Sequence, residues 1–455
     1  MTIPGPTNSG LTSFALLTAV LILAHGCAED AVTPTLVLPD PPPDPVPAWL
    51  GANTHPFDGP HLSLPHSDID FLRDIVGDAR IVALGENTHG TRDFYEMKAR
   101  ILRFLVEEMD FNAIAMEVTW PEARRLDHYV RTGEGDPEVL LAGLYFWITR
   151  TESVLEMVEW MRDHNEAGGD IGFHGFDMQF PGMALHNVRT YVRDVDPANA
   201  DAVAEELDCL TRFANDHARN WPDSLYEDQP DAFQSHCGAS LQAVGDRLEA
   251  NRDRYEGVAG ADAFDVALQS LRVAVQYHLK TAEGGNRDEF MAENTEWINR
   301  RIGPDGRLVV WAHNYHVSAE PETQGSFLRD TFGDRMVIVG FSHVDGWFTA
   351  RHVIGSRPLG LHRLHPVVEG SYESYLSRSS LPWFVLDLRN RDDDSPGGIW
   401  LRGTRPFRFI GCCYFPSEPE IFWMSTPLTE WYDVLIHFQT TRATTLLPLR
   451  YPDSW

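Results

Sequence analysis

Seven short, nearly unbroken apolar runs recur along the chain, each closed by glycine or a polar residue. They are RIVALG (80–85), NAIAME (112–117), DIGFHGFD (170–177), RLVVWAHN (307–314), RMVIVGF (335–341), WFVLDL (383–388) and DVLIHF (433–438). Continuous apolar runs, rather than alternating ones, mark strands buried on both faces, as in a parallel sheet. Between the first two runs, Phe94, Met97, Ile101, Leu105 and Met109 recur at helical spacing behind Thr91, a candidate N-cap. This is a βαβ unit. From about 183 to 302 the pattern changes to consecutive amphipathic helices, read as an insertion packed over the sheet. Residues 355–432 mix short strands and Gly/Pro turns without a clear period. The expectation is an α/β fold: a mostly parallel central sheet flanked by helices, with a helical insertion, over residues 49–455.

In open sheets of this kind, ligands bind beyond the carboxyl ends of the strands. Applied here, that rule collects Glu86 and His89 after the first run and Glu117 at the end of the second. Asp177 closes the third, and His313 and His316 follow the fourth. A lone Glu at a strand end is usually a helix cap, and a lone His is usually structural. Gathering six titratable groups at one edge costs stability unless they serve chemistry. The expected cleft therefore lies at the C-terminal ends of the strands.

Three chemistries fit the set. A histidine could act as general base on water, oriented by a carboxylate, while other polar groups stabilise an oxyanion. Alternatively, His313, His316 and a glutamate could hold a divalent metal that activates the water. A serine nucleophile would be the third, but no G-x-S-x-G elbow occurs in the chain.

Charge narrows the partners. With 67 acidic against 37 basic residues the net charge is −30, and no basic stripe suited to nucleic acid appears. The basic residues are almost all arginine; lysine occurs only at Lys98 and Lys280. Lys98 lies one turn after Phe94 and one before Leu102, near the buried face of its helix. A lysine placed there calls for a carboxylate, with Glu86 or Glu117 as candidates.

The N-terminus reads as a targeting segment: FALLTAVLILA (14–24) is too short to span a bilayer and suits a signal-peptide core. Cys27, after His25 and Gly26, reads as the lipidated residue of a bacterial lipoprotein, with an ordinary signal peptide as the alternative. Residues 28–48 form a proline-rich tether. The expectation is an exported protein of the cell envelope or periplasm that meets a membrane only through a lipid anchor. Export permits disulfides, with Cys209–Cys237 as the candidate pair; Cys412 and Cys413 are adjacent, and neighbouring cysteines seldom bond to each other, while the alternative for all four is small buried hydrophobes.

The stretches ALGENTHGTRDFYEMKARILRFLVEEMDFNAIAMEVTWPEA, GFDMQ, RDEFMAENTEWI and WAHNYHV resemble the ordered motifs of the erythromycin esterase family. The similarity runs from about Ile81 to Phe348, with a weaker echo in WYDVLIHF. The resemblance implies an α/β core with a helical insert and a deep cleft. It also implies hydrolysis of a cyclic ester in macrolides by a histidine-activated water, with no obligatory metal or covalent serine intermediate. Carried over by position, His89 matches the general base, and Glu86 and Glu117 match cleft carboxylates. His313 and His316 match the histidines that polarise the ester carbonyl or hold the water, and Arg287 and Asp288 match a polar pair opening a helix. One departure stands out: macrolide-hydrolysing members carry arginine where this chain has Lys98.

The reading that results is a hydrolase of an ester or related acyl bond. His89, Glu86, Glu117, His313 and His316 are the catalytic set; Lys98, Arg287, Asp288 and Asp177 handle substrate. No cofactor is expected, and the partner is a small-molecule ester or macrolide-like compound. The alternatives are the metal-assisted hydrolase and a non-catalytic envelope binding protein for a polyketide or glycan.

Overall fold

The computed structural model describes residues 44–214, 226–352, 359–389 and 391–450, within one body that begins at Asp44. The targeting segment, Cys27 and the tether up to residue 43 lie outside the described residues.

Each of the seven apolar runs forms a strand. In chain order the strands are β1 (His55–Pro56), β2 (Ile81–Leu84), β3 (Ala113–Thr119), β4 (Gly172–Asp177), β5 (Leu308–Trp311) and β6 (Met336–His352). They continue with β7 (Leu359–Arg363), β8 (Trp383–Asp387), β9 (Arg405–Arg408), β10 (Cys413–Tyr414), β11 (Trp423–Thr426) and β12 (Val434–Thr441). The main sheet runs β1-β8-β12-β6-β2-β5-β3-β4. Along that path every pairing from β12 to β4 is parallel, and β8 and β1 join antiparallel at the edge; off the path, β7 pairs antiparallel and β10 parallel with the far end of β6. The mostly parallel α/β architecture is thus the one the runs predict.

Side chains along a strand alternate between faces, and here both faces are buried. Ile81, Ala83, Ala113, Ala115, Leu308 and Val310 pack on one side with Leu185, Val188, Leu271, Met291 and Ile298. Those last residues come from the helical segment Gly182–Arg301 between β4 and β5, which forms a layer over the sheet. The Cys209–Cys237 disulfide joins two helices of that layer. Val82, Leu84, Ile114, Met116, Val309 and Trp311 pack on the other side, against helices Arg92–Met109, Trp120–Thr132 and Glu152–Glu166.

Helix Arg92–Met109 buries Phe94, Met97, Ile101, Leu102 and Leu105 as its spacing predicts, and also Lys98 and Arg100. Thr91 occupies the N-cap position, but its side chain accepts no helix N–H. Its hydroxyl bonds that of Thr88 instead, so the cap residue is spent on bracing the preceding loop.

Candidate active site

The site grows from the C-terminal edge of β2, β5 and β3, which are neighbours in the sheet. After β2 the chain enters Gly85–Gly90. Both glycines are needed for close approach: a Cβ at Gly85 would overlap Asn314 Oδ1, and one at Gly90 would overlap the Thr349 carbonyl. The loop is pinned at many points. Gly85 N–H donates to Val339 O (2.8 Å), Asn314 N–H to Glu86 O (2.8 Å) and Ile410 N–H to Asn87 O (3.0 Å). Thr349 and Thr444 N–H both donate to Gly90 O (3.0 Å each), and Tyr95 OH donates to the His89 carbonyl.

Inside this loop Glu86 bridges two partners. Its Oε1 lies 2.6 Å from His89 Nδ1, and its Oε2 lies 2.6 Å from Lys98 Nζ and 3.2 Å from the donor Trp311 Nε1. The ammonium also sits 4.1 Å above the Trp311 ring. Burial pulls Lys98 from the ordinary lysine value of 10.5 down to about 8, against the opposing pull of Glu86. With Nδ1–H given to Glu86, the His89 Nε2 lone pair is left for the cavity that His89 lines.

A second cluster stands across the cavity. Between Met116 and Thr119 the register of β3 against β4 shifts, a bulge that re-aims Glu117. Glu117 Oε2 accepts from His313 N–H (3.1 Å), and Oε1 accepts from Arg287 NH2 (2.9 Å). Arg287 also forks onto Asp177, at 2.7 and 3.2 Å. It stands at the first position of helix Arg287–Arg301, capped by Asn286, where the helix dipole disfavours a cation. Asp177 and Glu117 override both that and burial, raising the Arg287 pKa. Burial alone would raise Glu117, but His316, Arg287 and His89 together hold it well below the usual carboxylate range.

The two histidines after β5 differ. His316 Nδ1 lies 2.7 Å from Asp288 Oδ1, and its Nε2 lies 3.2 Å from Arg287 NH1 and 3.5 Å from Glu117 Oε1. Burial works against its charge, yet Glu117 and Asp288 lift its pKa above the ordinary value. Charged, it donates toward Glu117; neutral, it accepts from Arg287. His313 instead faces backbone. Its Nδ1 accepts from Tyr315 N–H (3.3 Å), and its Nε2 lies 3.2 Å from Asn87 O and 3.1 Å from Gly411 N. Burial, then the charges of His89 and His316, push its pKa well below 6.5.

The cavity between the clusters measures about 480 Å³. Its lining joins His89, Glu117, Arg287, His313 and His316 to aromatic side chains. The six residues expected at the strand ends, with Arg287 and Asp288 from the helix start and Lys98 from its own helix, lie in one network of contacts. Lys98 lies beneath the loop in contact with Glu86, and the structure gives it no lining position in the cavity.

Sequence reasoning missed the walls. Tyr145, Phe146, Ile148 and Phe180 form one side with Trp147, and Tyr145 holds a left-handed φ of 64° that turns its ring onto Phe180. Ile410–Cys413, Phe415 and Phe422 form the other, from the stretch that showed no period. The aromatic cluster LYFWI was the one available signal. Cys412 and Cys413 are half-buried residues of this wall, not core hydrophobes, because the left-handed Gly411 (φ 63°) turns the chain there. Trp147 lines the cavity, whereas Trp120 packs on Trp297 and Trp311 lies beneath Glu86. Among the described residues, no three His, Cys, Asp or Glu side chains converge as metal ligands.

The family model described as erythromycin esterase matches residues 106–441. A putative hydrolase of Bacillus subtilis, YbfO, is 23% identical over 300 residues, covering 59% of this chain and 63% of its own length. The chain therefore spans somewhat less than two thirds of that relative. Erythromycin esterase type II of Escherichia coli is 23% identical over 381 residues, covering 76% of this chain and 89% of its own. Among solved structures, a Bacillus cereus protein matches with a TM-score of 0.78 at 24% identity over 89% of this chain and 98% of its own. A mutant of the erythromycin esterase EreC in its open conformation matches with a TM-score of 0.66 at 19% identity over 85% and 97%. At these identities the structural likenesses establish the fold.

Proposed function

The chain belongs to the erythromycin esterase family, and we propose that it is a hydrolase acting on ester bonds that cleaves its ester with a water activated by His89, a reading supported by the esterase relatives. The observation that carries this reading is the relay Lys98–Glu86–His89, with both links at 2.6 Å and His89 lining the cavity. Glu86 fixes the tautomer and stabilises the imidazolium that forms when Nε2 takes a proton from water. The hydroxide attacks the ester carbonyl carbon. The developing oxyanion is met by the Arg287 guanidinium, whose NH1 keeps a second N–H beyond the one shared with His316 Nε2 at 3.2 Å. The proton held on His89 then passes to the leaving alkoxide, and no acyl-enzyme forms. His313, with both ring nitrogens against backbone, acts as a brace that holds Gly411 and the histidine loop together.

The aromatic walls support a large, mostly apolar acyl or alcohol portion, such as a macrolactone. The activity of the Escherichia coli relative supports a macrolide-like substrate class. The apolar segment 14–24 and the Cys209–Cys237 bridge support export, with anchoring at Cys27. Cell fractionation would find Cys27→Ser released from the membrane; equal membrane association of both forms rejects the anchor.

The deciding experiment follows hydrolysis of simple esters and macrolactones by the full chain, by His89→Ala, and by enzyme dialysed against chelator. Activity that survives chelation and is lost in the variant supports the reading. Activity restored only by a divalent ion moves the chemistry to a metal. Tight macrocycle binding without turnover leaves a binding protein instead.

A further inference from the structure

We propose that Cys412 and Cys413 form a thiol–disulfide exchange site on the cavity wall: they react with a low-molecular-weight disulfide, close into a vicinal disulfide, and thereby displace the loop that presents His89. The exchange stands on its own; only its effect on turnover rests on the esterase reading.

The placement is unusual for adjacent residues. In an extended chain successive side chains point to opposite faces. Here Gly411, at φ 63°, turns the backbone just before the pair, and both cysteines line the same cavity. Both are partly accessible and free, and their thiols are in hydrogen-bond contact. The contact divides the proton unequally. The neighbouring S–H lowers the Cys413 thiol, with burial opposing and the Arg351 charge assisting, while Cys412 is pushed up. One sulfur is poised as nucleophile and the other as resolving thiol.

The chemistry balances. The Cys413 thiolate attacks one sulfur of the small disulfide, forming a mixed disulfide and releasing one thiolate. With that negative charge gone, Cys412 ionises more readily, gives its proton to the released thiolate, and attacks the Cys413 sulfur. The second small thiolate leaves. Two protein thiols are oxidised and one small disulfide is reduced to two thiols.

The consequence follows from the backbone. Cα atoms of adjacent residues are about 3.8 Å apart, closer than ordinary disulfides allow, so the ring must twist the 412–413 peptide. That peptide's carbonyl accepts from Arg351 N–H (3.0 Å), and Cys413 pairs with Arg351 at the junction of β10 and β6. One residue earlier, Gly411 O accepts from His89 N–H (3.3 Å), and Gly411 N lies 3.1 Å from His313 Nε2. Twisting 412–413 therefore pulls on the backbone that holds both histidines. A bond strained in this way is readily reduced, so the change is reversible.

The test treats the purified full chain with oxidised glutathione. The tryptic peptide that follows Arg408 carries both cysteines and, without reductant, should be lighter by two hydrogens. In parallel, the rate at which diethyl pyrocarbonate labels His89 should change, and ester turnover should fall about tenfold or more. A mild reductant should restore both. The double variant Cys412→Ser with Cys413→Ser should pass through the same cycle without change, whatever its basal rate, which separates the pair from Cys209–Cys237. Free thiols or a stable glutathione adduct on the peptide would overturn the exchange site. A closed ring with unchanged His89 labelling would overturn the displacement. Absence of any ester turnover would count against the esterase reading alone, since the peptide mass and the labelling rate are read without it.

Discussion

Lys98 and Glu86 form a fully buried ion pair, 2.6 Å apart, directly beneath the histidine that faces the cavity. Removing one partner of such a pair leaves an uncompensated charge in the interior and costs about 3–5 kcal/mol. Lys98→Met should therefore destabilise the protein by about that much in urea unfolding at neutral pH. Glu86→Gln keeps the shape but removes the charge that supports the His89 imidazolium. It should lower kcat by about 10²-fold or more, with a smaller change in KM. Equal loss in kcat and KM terms for a well-folded Glu86→Gln would place Glu86 outside the relay.

The same pair sets a pH limit. Burial brings Lys98 to about 8 in the fold against 10.5 ordinarily. Above about 8 the ammonium loses its proton, and Glu86 then faces His89 without its cation, with Glu117 the other acidic group sensed by Lys98. Turnover should decline on the alkaline side with a midpoint near 8, and Lys98→Met should show a lower plateau without that limb. For stability the sign is opposite: between about 8 and 10.5 the unfolded chain holds more protons, so this group's contribution rises with pH. A profile flat to pH 10 would remove Lys98 charge from the mechanism.

Glu122 offers a test away from the cavity. Burial pushes its carboxyl from 4.5 up to about 8, with Arg125 only partly offsetting. A raised carboxylate pKa contributes stability that is present below 4.5 and is lost as pH rises through about 8. Glu122→Gln should therefore leave thermal stability near pH 5 almost unchanged and raise Tm at pH 9. Parallel Tm curves for both proteins across that range would refute neutral burial of Glu122.

The Cys209–Cys237 bridge closes a loop with a sequence separation of 28 residues in the helical layer. Loop-closure entropy for that length corresponds to about 3.5 kcal/mol. Cys209→Ser with Cys237→Ser should lower unfolding stability by roughly that amount or less, while retaining activity at low temperature, because the layer's site residues Arg287 and Asp288 sit on a different helix. Unchanged stability would mean the packed helices already restrict the unfolded chain.

Periodicity and strand-end chemistry made the sheet, its parallel character and the polar site legible in advance. The reason is physical: strands buried on both faces must be continuously apolar, and polar groups can then emerge only at their ends. Glu86, His89, Glu117, Asp177, His313 and His316 announced themselves in that way. Arg287 and Asp288 came from motif resemblance, since a helix start carries no comparable pattern. What only the tertiary structure decided were pairings and walls. Whether Lys98 met Glu86 or Glu117 depended on how the helix lies across the sheet, and the separate tasks of His313 and His316 depended on Gly411, a residue about a hundred positions away. The walls at Tyr145–Ile148 and Ile410–Cys413 come from irregular segments whose side-chain directions follow from left-handed turns at Tyr145 and Gly411. Hydrophobic spacing encodes which face a regular element buries; it carries no record of where two loops distant in sequence will meet.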